Sequence, residues 1–164
     1  KNNHLLLSTG NKSELAVGYC TLYGDMNGGL AVIGDLYKTK VFKLCNWIDS
    51  ELSYQSRKNY NLPLNDKIIG DKICSKPPSA ELGPNQLDTD FLPPYSQLDF
   101  ILKGLIEEKK DVRQLQGEGN NYDLISRIIM LVKKSEFKRK QAPPILKLSS
   151  QSLGNDWRLP IAIK

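Results

Sequence analysis

The sequence predicts an α/β layer at the N-terminus followed by a mostly helical second half. Two short apolar runs, Leu5–Ser8 and Leu30–Ile33, have the length of buried strands, and a helical apolar pattern lies between them. From Leu98 onward, apolar residues recur at spacings of three and four, as they do on one face of a helix. The length of 164 residues suits one domain or a large piece of one.

Helix and turn signals divide the first half. Ser13 can cap a helix, with Glu14 in its first turn, where a carboxylate suits the helix dipole. The apolar face of this helix continues to Leu22, and the glycines that follow predict a loop. A second helix is predicted from Lys38 to about Leu52, because five residues fall on one stripe: Val41, Leu44, Cys45, Ile48 and Leu52.

The middle of the chain is polar and rich in turn residues. Ser53–Pro63 predicts a loop, and Lys67–Cys74 predicts a short helix or turn. Gly83–Pro94 contains three prolines and predicts a long loop. Helices are then predicted around Leu98–Ile106 and after Asp123, which can cap the second of them. We expect the apolar stripes of all these helices to form the core.

The net charge is +5, and it is local. Residues 133–147 hold six basic side chains against the single acid Glu136, so the rest of the chain is neutral. Such a patch suits nucleic acid, a membrane surface or an anionic metabolite. The apolar runs are far shorter than the ~20 residues of a membrane span. The three cysteines show no CxxC spacing, so we expect thiols in a reducing cytoplasm, packed as small buried hydrophobes.

Four polar segments can carry chemistry. Ser8–Glu14 combines a strand end with a helix start, a corner that can bind an anion, and Glu14 can hold a hard metal ion. Lys38 at a loop-to-helix junction can neutralise phosphate, and Ser79 after two prolines can donate or cap. The basic helix end at Lys138–Lys140 can bind phosphates. Each segment also has a purely structural interpretation, as a helix cap or a solvated charge, and no Cys-His or Ser-His-Asp arrangement is present.

Together, these segments resemble the NAD⁺ synthetases of the glutamine-dependent bacterial kind. The long run Leu6–Thr39 carries most of the specificity. The other matching motifs follow in the family's order along nearly the whole chain: Lys76–Leu82, Gln86–Asp90, Leu92–Tyr95, Lys138–Pro144 and Arg158–Ile161.

The resemblance implies part of a Rossmann-like ATP-pyrophosphatase layer, of the adenine nucleotide alpha hydrolase-like kind, followed by a mostly helical C-terminal half. It implies ATP- and Mg²⁺-dependent amidation of deamido-NAD⁺ to NAD⁺ through an adenylated intermediate, with ammonia from glutamine. It further implies a cytoplasmic homodimer. Residues 1–164 would be the C-terminal portion of the synthetase domain, with the ATP-pyrophosphate loop and the amidase domain upstream. We therefore expect the chain alone to be inactive.

The resemblance also assigns residue roles by position. Thr9, Lys38 and Ser79 match ATP-contacting residues. Glu14 matches a glutamate on the metal and dinucleotide side, and Lys138 with Arg139 matches the basic pair that meets deamido-NAD⁺. No catalytic side chain is assigned.

Two other interpretations of the chain remain open at this point. The basic helix at Asp123–Lys140 is also typical of a module for nucleic acid or an acidic partner, although Phe137 is the one aromatic near the patch. The chain can also be read as a purely structural dimerisation unit.

Overall fold

The chain is divided into two units in the computed structural model, which describes residues 3–79 and 86–161. The first unit comprises Lys1–Lys38 and Tyr95–Lys164, and the second comprises Thr39–Pro94. The first unit contains the strands, the larger core and most of the residues that the sequence singles out. Within the described ranges, every helix is too short or too polar to cross a membrane.

The strands of the first unit are β1, Leu7–Ser8, and β2, Leu30–Ala31. They pair in parallel, with Leu7 opposite Leu30 and Ser8 opposite Ala31. A parallel pair needs a crossover connection, and the helix between the strands supplies it. The expected α/β arrangement is confirmed, but the strands are shorter than predicted, and Leu5–Leu7, predicted to be buried, are exposed. The chain near Ile145 also runs beside Ala31, whose N–H donates to the carbonyl oxygen of Pro144 at 2.9 Å.

Helix α1, Lys12–Val17, begins two residues earlier than the sequence predicts and ends well before the predicted limit at Leu22. Its cap is Asn11, whose side chain accepts from the Glu14 N–H at 3.1 Å, while the Glu14 carboxylate accepts from the Asn11 N–H at 3.0 Å. The prediction of Ser13 as the cap is wrong, because Ser13 is buried inside the helix. The helix ends at Gly18 with φ of 72°, where an added Cβ would overlap the Ser135 hydroxyl.

The core of the first unit is built from α1 and the helices of the second half. These are α5, Tyr95–Ile106; α6, Val112–Gly117; α7, Tyr122–Lys134; and α8, Glu136–Arg139. The predicted stripes of α5 and α7 are confirmed as core in large part, since the following side chains are buried: Leu98, Ile101, Leu102, Ile106, Ile125, Ile128 and Val132. The other predicted members are half-buried: Leu105, Leu124, Ile129 and Leu131.

Two starts of helices in this half differ from the sequence prediction. Helix α6 was not predicted; Asp111 and Gln114 cap it reciprocally, each side chain accepting from the other's backbone N–H. The cap of α7 is Asn121 rather than the predicted Asp123. The short polar cap, and not the apolar pattern, determines where each helix begins.

The second unit contains α2, Lys38–Ile48, which starts on the last residue of the first unit, then α3, Tyr54–Asn59, and α4, Asp71–Ser75. Helix α3 lies where the sequence predicts a loop. The predicted core stripe of α2 is also wrong: no side chain of this fully described helix is buried. Leu52, at the predicted end of the stripe, is 81% exposed.

The Asp49 side chain holds the turn at residues 68–70 of the second unit. The Asp49 carboxylate accepts three backbone N–H groups, from Ile68, Ile69 and Gly70, at 2.8–2.9 Å. These bonds hold the pKa of Asp49 below its ordinary value, against the opposing effect of burial. Gly83–Pro94, the predicted long loop, is described from residue 86, where Asp88–Asp90 form one 3₁₀ turn; residues 83–85 lie outside the described part of the chain.

A buried lysine links four segments of the first unit. The Lys12 side chain is 0% exposed, and its ammonium lies 3.0 Å from Asp35 Oδ1 and 2.8 Å from Glu107 Oε1. It also donates to the Ser149 hydroxyl at 2.7 Å and to the Gln151 carbonyl oxygen at 2.8 Å. Since a buried charge is costly unless it is paired and hydrogen-bonded, these four acceptors are what permit a lysine at this position.

Asp35 is held from two further sides. The backbone N–H groups of Leu148 and Ser149 both donate to its Oδ2 at 2.7 Å. Burial alone would raise the pKa of Asp35, but these bonds and the Lys12 ammonium together hold it below the ordinary value. The C-terminal segment is therefore fastened to the loop before α2 by a charged carboxylate.

We expect Lys12→Met to lower the free energy of unfolding by about 3–5 kcal/mol, the range for removing one partner of a buried ion pair. Met preserves the length of the side chain but leaves the carboxylates of Asp35 and Glu107 without their cation. Denaturant titration measures the change. The matched control is Lys147→Met, which breaks an exposed pair with Asp156 and should change stability little. Equal losses in the two variants would contradict the prediction.

The lowered pKa of Asp35 predicts a loss of stability in acid. Because the folded-state pKa lies below the ordinary value of 3.8, its contribution is complete above that value and disappears as the pH falls through the folded-state pKa. We expect the urea midpoint to decline from about pH 5 to about pH 2 less steeply in Asp35→Asn than in the parent. An unchanged slope in Asp35→Asn would rule out this carboxylate as a source of the acid sensitivity.

Candidate functional site

Five of the six residues singled out by the sequence belong to the first unit. Thr9 directly follows β1 and is exposed, two residues before the cap of α1. Glu14 lies in the first turn of α1, and Lys38 is the first residue of α2. Lys138 and Arg139 lie in α8. Ser79 belongs to the second unit, where its backbone pairs with Leu87, and its role at an ATP site stays a prediction.

Glu14 and Lys38 form an ion pair. The Lys38 ammonium donates to Glu14 Oε1 at 2.8 Å, and both side chains are largely buried. The other oxygen, Oε2, accepts from the Asn11 N–H. The sequence predicts a metal for the carboxylate and phosphate for the ammonium. The structure brings these two opposite charges together, and Glu14 is also hydrogen-bonded to Asn11, three residues after the end of β1.

The start of α2 is fixed to α1 through a serine. The Lys38 backbone N–H donates to the Ser13 hydroxyl oxygen at 2.8 Å, and that hydroxyl donates to Asp99 Oδ1 at 2.5 Å. The Lys38 ammonium also lies 5.5 Å from the centroid of the Tyr95 ring. Sequence reasoning assigned no function to Asp99 or Tyr95. Two signals were available: a carboxylate inside the apolar stripe of α5, and the four-residue spacing that puts both residues on one helix face.

Lys138 holds the loop that follows α1. Its ammonium donates to the carbonyl oxygens of Gly18 and Cys20, each at 2.7 Å. Burial raises the pKa of the Cys20 thiol to about 11, although the Lys138 charge acts in the opposite direction. The thiol is therefore protonated at neutral pH. All three cysteines are free, as predicted, but they are half-buried rather than fully buried.

Arg139 lies in the interior, with 5% of its surface exposed. Its guanidinium pairs with Glu136 at 2.9 Å and donates to the carbonyl oxygens of Leu15, Ala16 and Val132. It also lies over the Trp157 ring, 5.6 Å from the centroid. These carbonyls belong to the last turns of α1 and α7, so Arg139 joins two helix ends. The basic pair predicted for deamido-NAD⁺ thus consists of one half-buried and one buried cation, both engaged within the protein.

The local +5 charge is partly neutralised within the first unit. Glu136 pairs with Arg139 and lies 3.8 Å from the Lys140 ammonium, while Lys147 pairs with Asp156 at 2.8 Å. A nucleic-acid module would present these cations together on an open face. The structure therefore does not favour the alternative of a basic binding module.

A cavity of about 260 Å³ lies next to α8. It is lined by that helix and by the C-terminal segments: Glu136, Arg139, Lys140, Ala142, Pro143, Pro144, Ile145, Leu153, Gly154, Asn155 and Arg158. Three cations and one carboxylate border it, so its net charge is positive.

Metal ligands are sparse in the part of the chain that the structure describes. Across residues 3–79 and 86–161, no three His, Cys, Asp or Glu side chains converge on one point. Glu14 is thus a single carboxylate. Mg²⁺ is commonly bound by one or two carboxylates together with substrate phosphates and water, and a single carboxylate fits that pattern.

Two solved structures resemble the chain. The glutamine-dependent NAD(+) synthetase from Cytophaga hutchinsonii matches with a TM-score of 0.65 and 20% identity, covering 96% of this chain and 24% of that one. The NMN synthetase from Francisella tularensis matches with a TM-score of 0.56 and 26% identity, covering 90% and 47%. At 20% identity, the first match concerns the fold alone.

Sequence relatives are closer. The glutamine-dependent NAD(+) synthetase of Synechocystis sp. is 52% identical over 162 residues, or 99% of this chain and 26% of the relative. That of Thermotoga maritima is 45% identical over 157 residues, or 96% and 25%. The chain spans about a quarter of the length of these curated relatives. The sequence model of the NAD synthase family matches residues 1–142, most of the chain, and the chain therefore belongs to the NAD synthase family.

Proposed function

We propose that the protein containing this chain amidates deamido-NAD⁺ to NAD⁺ with ATP, and that the corner of Thr9, Glu14 and Lys38 binds the ATP phosphates and their metal. The observation that carries this proposal is the Glu14–Lys38 pair. The residues that the family resemblance assigns to metal and to phosphate lie 2.8 Å apart, and Glu14 also accepts from the Asn11 N–H, three residues after the parallel strand β1. Ligands of open α/β sheets bind outside the carboxyl ends of the strands.

The proposed reaction has two displacement steps. A carboxylate oxygen of deamido-NAD⁺ attacks the α-phosphorus of ATP, and pyrophosphate leaves. Ammonia then attacks the acyl carbon of the adenylate, AMP leaves with its oxygen, and loss of a proton gives the amide. Negative charge accumulates on phosphate oxygens in the first step, which is where a fixed lysine ammonium is most useful.

Glu14 and Lys38 can each exchange the other for a charged group of the ligand. In the structure, each charge neutralises the other. Mg²⁺ with ATP would give the Glu14 carboxylate a cation and the Lys38 ammonium an anion, so both charges stay paired when the pair separates. Thr9, exposed at the end of β1, can donate its hydroxyl to a phosphate oxygen at the same corner.

The remaining expectations belong to the same proposal. Ser79 contacts ATP, and Lys138 and Arg139 lie on the deamido-NAD⁺ side, where the positive cavity beside α8 favours an anionic ligand. The strands belong to a Rossmann-like ATP-pyrophosphatase layer. Glutamine supplies ammonia through a separate amidase domain, and the protein acts as a homodimer. Because the chain spans a quarter of its relatives, we expect residues 1–164 alone to form no NAD⁺.

The direct test assays NAD⁺ formation by the whole protein with ATP, Mg²⁺ and either ammonia or glutamine. Deamido-NAD⁺ is compared with the corresponding mononucleotide, because one structural relative is named an NMN synthetase. The proposal requires NAD⁺ from deamido-NAD⁺, with a clear preference over the mononucleotide. Exclusive turnover of the mononucleotide would reject the proposed substrate while leaving the ligase chemistry intact.

We expect Lys38→Met to lower kcat/KM for ATP about a hundredfold, because it removes a cation aimed at developing phosphate charge. The matched control is Lys40→Met, two residues further along α2, where the lysine is exposed and lies outside the proposed site. Steady-state kinetics with varied ATP distinguishes the two variants. Similar kinetics for both would remove Lys38 from the site.

We expect Glu14→Gln to raise the Mg²⁺ concentration needed for half-maximal activity by about tenfold, since an amide is a weaker ligand for a hard cation than a carboxylate. Chelation of Mg²⁺ should abolish the activity of the parent protein. Glu51→Gln, a change at an exposed glutamate of the second unit, is the control. A Mg²⁺ requirement that is the same in Glu14→Gln and the parent would contradict a metal role for this residue.

A further inference from the structure

Lys38 needs a support other than Glu14. A lysine side chain is flexible, and ordering it costs rotamer entropy. In the structure the Glu14 carboxylate orders the ammonium, but it also cancels the charge. If Lys38 binds phosphate, its ammonium must stay in place after the Glu14 carboxylate has paired with a different cation.

The first turns of α5 are linked to both ends of Lys38, directly at the ammonium and through Ser13 at the backbone. At the backbone end, its N–H donates to the Ser13 hydroxyl, which donates onward to Asp99. At the side-chain end, its ammonium lies over the Tyr95 ring. Tyr95 and Asp99 are four residues apart, so they occupy neighbouring positions on one face of the helix.

Asp99 has the properties of a fixed anchor. It is 5% exposed and lies within the apolar face of α5, next to the buried Leu98. A carboxylate there is costly unless hydrogen bonds satisfy it, and the fully buried Ser13 hydroxyl donates one at 2.5 Å. A hydroxyl that donates to a carboxylate becomes a better acceptor, which strengthens its bond from the Lys38 N–H. The first residue of α2 is thereby tied to both α1 and α5.

The Tyr95 ring attracts the ammonium without cancelling its charge. The negative face of an aromatic ring stabilises a cation within about 6 Å of the centroid, but the ring carries no net charge. The cation over the ring still carries its full charge toward an anion on its other side. This contact therefore suits the state in which Glu14 has separated from Lys38.

We propose that Tyr95 and Asp99 are positioning residues for Lys38: Asp99 fixes its backbone through Ser13, and the Tyr95 ring holds its ammonium toward the ATP phosphates. The inference rests on the proposed function, because it assumes that Lys38 binds ATP. It adds two residues of α5, and one of the helix α1 interior, to a site built otherwise from strand ends and loop junctions.

The experiment measures the Kd of ATP by calorimetry on the whole protein, which requires no turnover. We expect Tyr95→Leu to raise the Kd about five- to tenfold, as the loss of a partly buried cation–π contact predicts. Tyr95→Phe, which keeps the ring face, should restore most of the affinity. Phe100→Leu is the matched control: it removes a comparable contact on the same helix, with the Lys110 ammonium 6.0 Å from the ring centroid, and should leave the Kd unchanged.

A double-mutant cycle separates positioning from a general effect on folding. If Tyr95 acts through Lys38, Tyr95→Leu has no further effect on the ATP Kd when Lys38 is already Met. Equal effects of Tyr95→Leu with and without Lys38 would overturn the inference, and so would equal losses in Tyr95→Leu and Tyr95→Phe. Thermal unfolding of each variant identifies those that bind weakly because they are unfolded.

The hydrogen bonds from the Lys38 N–H through the Ser13 hydroxyl to Asp99 are tested by a separate variant. Asp99→Asn keeps the shape and weakens the acceptor, so we expect the KM for ATP to rise at least about threefold while the KM for deamido-NAD⁺ stays constant. A parallel rise in both constants would mean a structural role alone.

The outcomes also separate this inference from the proposed function. If Lys38→Met leaves the ATP Kd unchanged, the proposed role of Lys38 fails. If Lys38→Met weakens ATP binding and Tyr95→Leu does not, the positioning inference alone fails.

Discussion

The buried Lys12 ammonium is the interaction on which the first unit depends. From the start of α1, the ammonium contacts Asp35 in the loop before α2, Glu107 just after α5 and Ser149 in the C-terminal segment. Lys12 lies two residues before Glu14, and Asp35 lies three before Lys38. The ion pair between Lys12 and Asp35 therefore sets the separation of the two segments that supply the proposed ATP corner. The positions of Glu14 and Lys38 thus depend on a buried ion pair to which neither residue belongs.

Local patterns predicted much of this fold. The two short apolar runs Leu5–Ser8 and Leu30–Ile33 predicted the two parallel strands that a helix connects. Most residues of the predicted stripes of α5 and α7 are buried. The α2 stripe failed because periodicity reports which residues share a face, not whether anything covers that face. Helix α3 was missed because its sequence, Tyr54–Asn59, is polar and its N-cap residue Ser53 makes no capping hydrogen bond with its side chain.

The site was predictable only as separate pieces. Glu14 and Lys38 lie 24 residues apart, and no local pattern places their charges in contact; the family resemblance suggested both, and the fold joins them. Asp99 could be noticed as a polar residue in an apolar stripe, but its partner Ser13 lies 86 residues away. The net charge alone does not indicate which cations are exposed. Arg139 supplies part of it and lies inside the protein, where it satisfies helix-end carbonyls.

The exposed leucines at the start of β1 and just before it have a consequence for behaviour in concentrated solution. Within the described ranges the sheet has two strands, so β1 has a strand neighbour on one side, and Leu5, Leu6 and Leu7 are between 49% and 65% exposed. An apolar strand with an open edge is a template onto which a like strand can add. This segment should therefore govern the colloidal stability of the isolated polypeptide, and a charged residue at Leu6 would act as a gatekeeper against fibrous self-assembly.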